Sequence, residues 1–127
     1  MINLTDIQKW GIILACIMMC ADVLVGFIGA IIQKNISSIK MREGILHKIL
    51  MLILIFLCLV IEIASSHMFK LSYDIPTCEV ICGYTTVMEL SSIIENISTA
   101  YPEFAKSGLA KLFNLQEKKE INNDERL

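Results

Sequence analysis

The chain has 127 residues, 55% of them hydrophobic, and a formal charge of −2, a length that fits one domain. Its mean hydropathy of +0.64 comes from a few long apolar blocks, where a soluble all-helical core, the plainer alternative, spreads its apolar residues in amphipathic periods. No basic stripe points to nucleic acid, and five cysteines (Cys16, Cys20, Cys58, Cys78, Cys82), odd in number and in or beside apolar segments, argue against a secreted disulfide framework.

Residues 1–9 form a short head in which Asn3, Thr5 or Asp6 can cap a helix. Residues 10–32 follow with a single formal charge, Asp22, near the middle. At ~1.5 Å per residue this run crosses a ~30 Å hydrocarbon core. It continues past the length of a cleavable signal and is expected to stay as a signal anchor. At 100° per residue, Gly11, Ala15, Asp22, Gly26, Gly29 and Gln33 fall on one stripe. Small residues at that spacing let helices approach closely, and an acid inside a span seeks protein or water because lipid exposure costs ~2.5–3.5 kcal/mol. The stripe is therefore a candidate helix interface. Lys48, a backbone group or the same stripe of another copy is the candidate partner of Asp22.

Residues 33–43 read as a polar loop with Asn35, Ser37 and Ser38. Residues 44–66 form the second span, with Lys48 near one end and Glu62 near the other. His47 and His67 bracket it and suit the two interfaces. Residues 67–76 form a turn region ending in Pro76. Cys16/Cys20 and Cys78/Cys82 each share a helix face, but two thiols without a nearby histidine fall short of a four-ligand site. Small apolar packing is their expected role.

Residues 77–98 are apolar-rich but carry Glu79, Glu89 and Glu95, so insertion alone is marginal. Cys78, Cys82, Thr85, Glu89, Ser92 and Asn96 follow one helical face, with Val80, Val87, Leu90 and Ile94 opposite. Such a segment is either a third span facing a polar interface or a wet lumen, or an amphipathic helix in the membrane surface. Thr85, Glu89, Ser92, Glu95 and Asn96 are the candidate pore-lining or polar-interface residues. Residues 103–127 become charged and polar and read as a solvated tail.

The expected fold is an all-α integral membrane protein of about three helices (10–32, 44–66, 77–98), a membrane domain over 1–102 and a cytoplasmic tail over 103–127. Residues 33–48 carry a net charge of +3, so the first loop is expected to be cytoplasmic. The N-terminus is then outside and, with three spans, the C-terminus inside. No serine-histidine-acid set, Gly-rich loop or Cys-x-x-Cys is present, and no cofactor is implied. Glu89 and Glu95 as a general acid/base pair leave one enzymatic alternative, a small membrane-embedded lipid kinase. Five residues separate the two acids here, against six in the bacterial diacylglycerol kinase, and its basic nucleotide-contacting elements are not evident.

Four local patterns carry a resemblance. Asp22-Val-Leu-Val-Gly26 is similar to an Asp-x-x-Thr-Gly motif, with Val25 in place of Thr. Ser38-Ile-Lys40 followed by Gly44-Ile-Leu-His-Lys48 is similar to a Ser-x-x…Gly-x-x-x-Lys loop. Glu62 stands where an acid often closes the second span, and Glu89-Leu-Ser-Ser-Ile-Ile-Glu-Asn96 matches Glu-x-x-Ser-Ile-x-Glu-Asn, with Pro102 following. In that order, over about residues 22–112, the chain resembles the phage holins of the toxin-secretion/phage-lysis type from low-GC Gram-positive bacteria. The resemblance implies a homo-oligomer in the cytoplasmic membrane that opens lesions for an endolysin, or releases a large toxin, without catalysis. Its partners would be the lipid bilayer and further copies of itself. An antiholin or regulator, or a small ion-conducting membrane protein, would share these sequence features. Gly11, Ala15, Asp22, Gly26, Gly29, Lys48 and Glu62 are the residues expected at helix or oligomer interfaces.

Overall fold

The computed structural model describes residues 4–68, 76–108 and 111–112. The parts of the turn region and of the tail that fall at 69–75, 109–110 and 113–127, and the candidate cap Asn3, lie outside them. Three α-helices carry the fold: α1 (Asp6–Ile32), α2 (Ser38–Met68) and α3 (Thr77–Ala100). A short 3-10 turn, Phe104–Lys106, packs on the end of α3.

Of the candidate caps, Thr5 takes the role for α1. Its hydroxyl accepts from the Gln8 backbone N–H while the Gln8 side chain accepts from the Thr5 N–H, a capping box spelled by Thr5-x-x-Gln8. At the far end Lys34 adopts a positive φ of 53°, and its N–H bonds back to the Ile31 carbonyl. The polar loop is shorter than its composition suggests. Helix α2 already begins at Ser38, where the Ser37 hydroxyl accepts from the Lys40 N–H. Polarity marks the edge of a membrane run, but it does not stop a helix. So Lys40, Gly44 and Lys48 come to share one helical face.

Both α1 and α2 are long and apolar enough to cross a membrane. Their outward faces (Ile17, Leu24 and Ile28 on α1; Leu50, Phe56 and Ile61 on α2) are exposed, as a lipid-solvated surface requires. The apolar core is small: Ala15, Met19, Ile55, Cys78 and Cys82. Apart from Ile94 and Gly29, the rest of the described interior holds polar groups, namely Gln8, Asp22, Glu62, Thr85 and Glu89. Helix α2 runs antiparallel to α1, since Lys48 meets Asp22 while Glu62 meets Gln8.

Most of the packing is made by α3, chiefly on α1 and also on α2, whereas α1 and α2 touch each other little. A Cβ built on Gly11 would meet the Cys82 Cβ at 3.4 Å, one on Gly26 the Asn96 amide at 3.4 Å, and one on Gly29 the Ala100 Cβ at 3.8 Å. These pairs advance together along both helices. Therefore α3 runs parallel to α1 and level with it over its whole length. Val80, Val87 and Leu90 face outward as their periodicity requires, but Ile94, expected with them, is buried. Beyond Pro102 the 3-10 turn lies in contact with α3.

Candidate functional site, a buried ionic cluster between three helices

Two polar clusters sit inside the bundle, ~21 Å apart along the helix axis at ~1.5 Å per residue. In the first, Lys48 of α2 reaches between two acids. Its Nζ donates to Asp22 Oδ2 at 2.9 Å and to Glu89 Oε2. The second oxygen of Asp22 accepts from Asn96 Nδ2 at 3.0 Å. The side chains of Lys48, Asp22 and Glu89 are 13%, 11% and 5% exposed, so all three charges are largely withdrawn from solvent. One cation against two carboxylates gives the group a formal charge of −1. Without Lys48 the two acids have no compensating charge, and breaking a buried pair by removing one member costs ~3–5 kcal/mol.

In the second cluster Glu62 Oε1 accepts from Gln8 Nε2 at 2.7 Å. Its Oε2 accepts from the Cys78 backbone N–H at 2.9 Å and, less closely, from the Thr77 hydroxyl at 3.4 Å. Cys78 lies in the first turn of α3, where backbone N–H groups have no helical acceptor. Glu62 thus does for α3 from across the bundle what a cap does locally, and Pro76 at the N-cap offers no side-chain bond. Gln8, Thr77 and Cys78 were not singled out as partners of Glu62 by sequence. The Thr5-x-x-Gln8 signature was there to read, but its amide has two ends, and only the fold shows where the second points.

The candidate residues divide clearly. Asp22, Lys48, Glu89 and Asn96 converge on one centre. Glu62 belongs to the other. Gly11, Gly26 and Gly29 line the α1–α3 contact and Ala15 is fully buried beside it. Ser92 is half-buried, and Glu95 is exposed although it neighbours Asn96. Gln33, at the end of the stripe, is exposed. A cavity of about 390 Å³ opens beside the α1–α2 loop, lined among others by Gln33, Lys40, Gly44 and Glu95, and reaches inward to Asp22, Lys48 and Asn96. The small core of Met19, Ile55 and Cys82 lies between the two clusters.

Thr85 is fully buried on α3, one turn from Glu89, and its hydroxyl has no hydrogen-bond partner among the described residues. An unpaired buried hydroxyl costs ~1–3 kcal/mol. Thr85→Val keeps the branched shape without the hydroxyl, so the bundle is expected to gain ~1 kcal/mol. Reversible unfolding in detergent, compared with the parent, checks this.

The residues that meet around Lys48 come from motifs far apart in the chain: Asp22 from the first, Lys48 from the second, Glu89 and Asn96 from the last. The family model of the bacteriophage holins matches residues 4–113, spanning all three helices and both clusters. The chain belongs to the bacteriophage holin family. This is not a family of enzymes, and with two apolar helices of membrane length it sets the protein in a membrane. No curated protein and no solved structure gives a significant match. In this holin-family chain Val25, the departure from the Asp-x-x-Thr-Gly pattern, is half-buried and makes none of the side-chain hydrogen bonds of either cluster. Asp22 and Gly26, which flank it, face α3 directly.

Proposed function

We propose that this protein is a holin that self-assembles in the bacterial cytoplasmic membrane into lesions, and that all three helices cross the bilayer. What carries the reading is the Asp22–Lys48–Glu89 cluster, buried between helices whose outer faces are apolar. A surface-lying α3 is hard to reconcile with a helix that runs level with α1 along its length. Unpartnered, each acid exposed to lipid costs ~2.5–3.5 kcal/mol, but exposed to water it costs little. The seam around Lys48 is therefore the joint in the bundle that water can enter most cheaply. Glu89 and Asn96 hold that seam while it is closed, and Thr85, Glu89, Ser92, Glu95 and Asn96 line it once it is wet. The basic first loop points to the cytoplasm, with the N-terminus outside and the tail inside. An endolysin, or a large secreted toxin, is the cargo such a lesion would pass.

Inducible expression in bacteria tests this, following growth, membrane potential and release of a cytoplasmic reporter enzyme together. An abrupt halt with release of the reporter is expected. Loss of potential without reporter release would identify a small ion-conducting protein, and protection from a second holin a regulator.

Asp22→Leu gives a finer result. It leaves Lys48 paired with Glu89 as a neutral couple and orphans only the Asn96 amide. Membrane insertion and bundle formation are expected to persist, while lysis timing and oligomer size change. Unaltered timing and an unaltered crosslinking pattern would remove Asp22 from assembly.

A further inference from the structure

We infer that assembly proceeds by exchange of α3: the third helix of one copy docks in the α1–α2 cradle of the next, and its Glu89 and Asn96 complete the cluster around that neighbour's Lys48 and Asp22. The inference rests on the self-assembly proposed above and names the surface that performs it.

Three observations lead there. First, α3 is the element that holds the bundle together, because it packs on both other helices while α1 and α2 barely meet. Without it, α1 and α2 form an open hairpin that presents Asp22, Lys48, Gln8 and Glu62 along one side. That hairpin is an acceptor for one shape only, the polar face of an α3, which any second copy can supply. Second, among the described residues the outward faces of α1 and α2 offer no comparable recognition. Trp10, Ile13, Leu14 and Ile17 on α1, and Ile49, Leu50, Ile53 and Phe56 on α2, are exposed and apolar, and lipid tails satisfy such side chains as well as another helix does. The small-residue stripe is already taken up inside the chain, with Gly11, Gly26 and Gly29 against α3.

Third, exchange keeps every charge paired. The contacts of Lys48 with Asp22 and Glu89, and of Glu62 with Cys78, are re-formed between copies, so assembly sacrifices no buried interaction. Swapping an identical element is for that reason a low-cost route to association. Eight residues separate Met68 from Thr77 along the chain; that number spans at most ~25 Å, against ~8–10 Å between packed helix axes, so chain length permits the exchange. Each copy gives one α3 and receives another. The contact is heterologous and need not close at a fixed number, which yields arrays of variable size whose joints are all the wettable seam around Lys48.

Site-directed crosslinking of the full chain in membranes decides the matter. All five native cysteines are free and are replaced by alanine. One chain then carries Gly29→Cys and a second carries Ala100→Cys, a pair whose Cβ separation of 3.8 Å suits a disulfide. Each chain bears a different tag, and both are co-expressed and oxidised. A disulfide between the two tagged chains is expected. A chain carrying both substitutions should give a ladder of covalent oligomers. The reverse outcome, an intrachain bond in the doubly substituted chain and none between the singly substituted ones, overturns the exchange. The same comparison, with Gly11→Cys in one chain and Cys82 retained in the other while the remaining native cysteines are alanine, reads the opposite end of the interface and covers a fold disturbed near Ala100. Reporter release is followed in the same cells. Lysis with purely intrachain bonds defeats the exchange and leaves the holin reading standing. Interchain bonds without lysis do the opposite.

Discussion

Lys48→Met is expected to be the most damaging single substitution in the chain. Methionine matches the length of the lysine stem, so packing is nearly kept and the charge alone is lost. Asp22 and Glu89 are then left facing each other as like charges in a region withdrawn from water. Removing one partner of a buried ion pair costs ~3–5 kcal/mol, and here two acids lose their cation at once. The expected result is a sharp fall in the folded fraction in mild detergent, with faster turnover in the membrane and no lysis. Adding Asp22→Asn and Glu89→Gln to Lys48→Met removes the charges that were stranded, and most of the lost stability should return. Lysis timing in the triple variant then separates the two roles of the cluster. Recovery of folding without lysis would mean that the charges themselves are needed for opening. If Lys48→Met accumulates and unfolds like the parent, the cluster does not hold the bundle.

The second large effect is steric. Gly29 is buried on the α1–α3 contact, and a Cβ placed there lies 3.7 Å from the Asn96 carbonyl oxygen and 3.8 Å from the Ala100 Cβ. Those are ordinary contact distances, so Gly29→Ala fits. It should stabilise the helix by up to ~1 kcal/mol, the helix-propensity difference between the two residues. Gly29→Leu carries its extra carbons into the backbone of α3, which cannot yield as a side chain would. Overpacking of this kind costs ~1–3 kcal/mol, and pushing α3 outward also lengthens the bond from Asn96 to Asp22. The pair of variants should therefore move stability in opposite directions, measured by unfolding in detergent, and only Gly29→Leu should impair lysis. A leucine tolerated as well as alanine would show that α1 and α3 are not in contact here.

The two apolar runs with one acid each were legible at once, because a run of membrane length has few other uses. The stripe of Gly11, Ala15, Gly26 and Gly29 was also legible, since helical periodicity alone places those residues on one face. Periodicity does not say what the face meets. It was open whether the stripe served another copy or another helix of the same chain, and the fold sets it against α3. Similarly, Lys48 was one of three candidate partners for Asp22, and nothing in one dimension ranks them. Gln8 was read only as part of a head, although it caps α1 and binds Glu62 with the same amide.

The sequence by itself thus determined the all-helical membrane class, the small-residue face of the first helix, most of the polar face of the third and, through spaced motifs, the family. These follow from hydropathy and from the 100° turn per residue, both local properties. Tertiary structure alone decided the convergence of Asp22, Lys48, Glu89 and Asn96, the remote capping of α3 by Glu62, and the central place of α3, the least apolar of the three helices. A charge inside a bundle is tolerable only where its partners meet it in space, and spatial neighbours on antiparallel helices lie far apart in the chain.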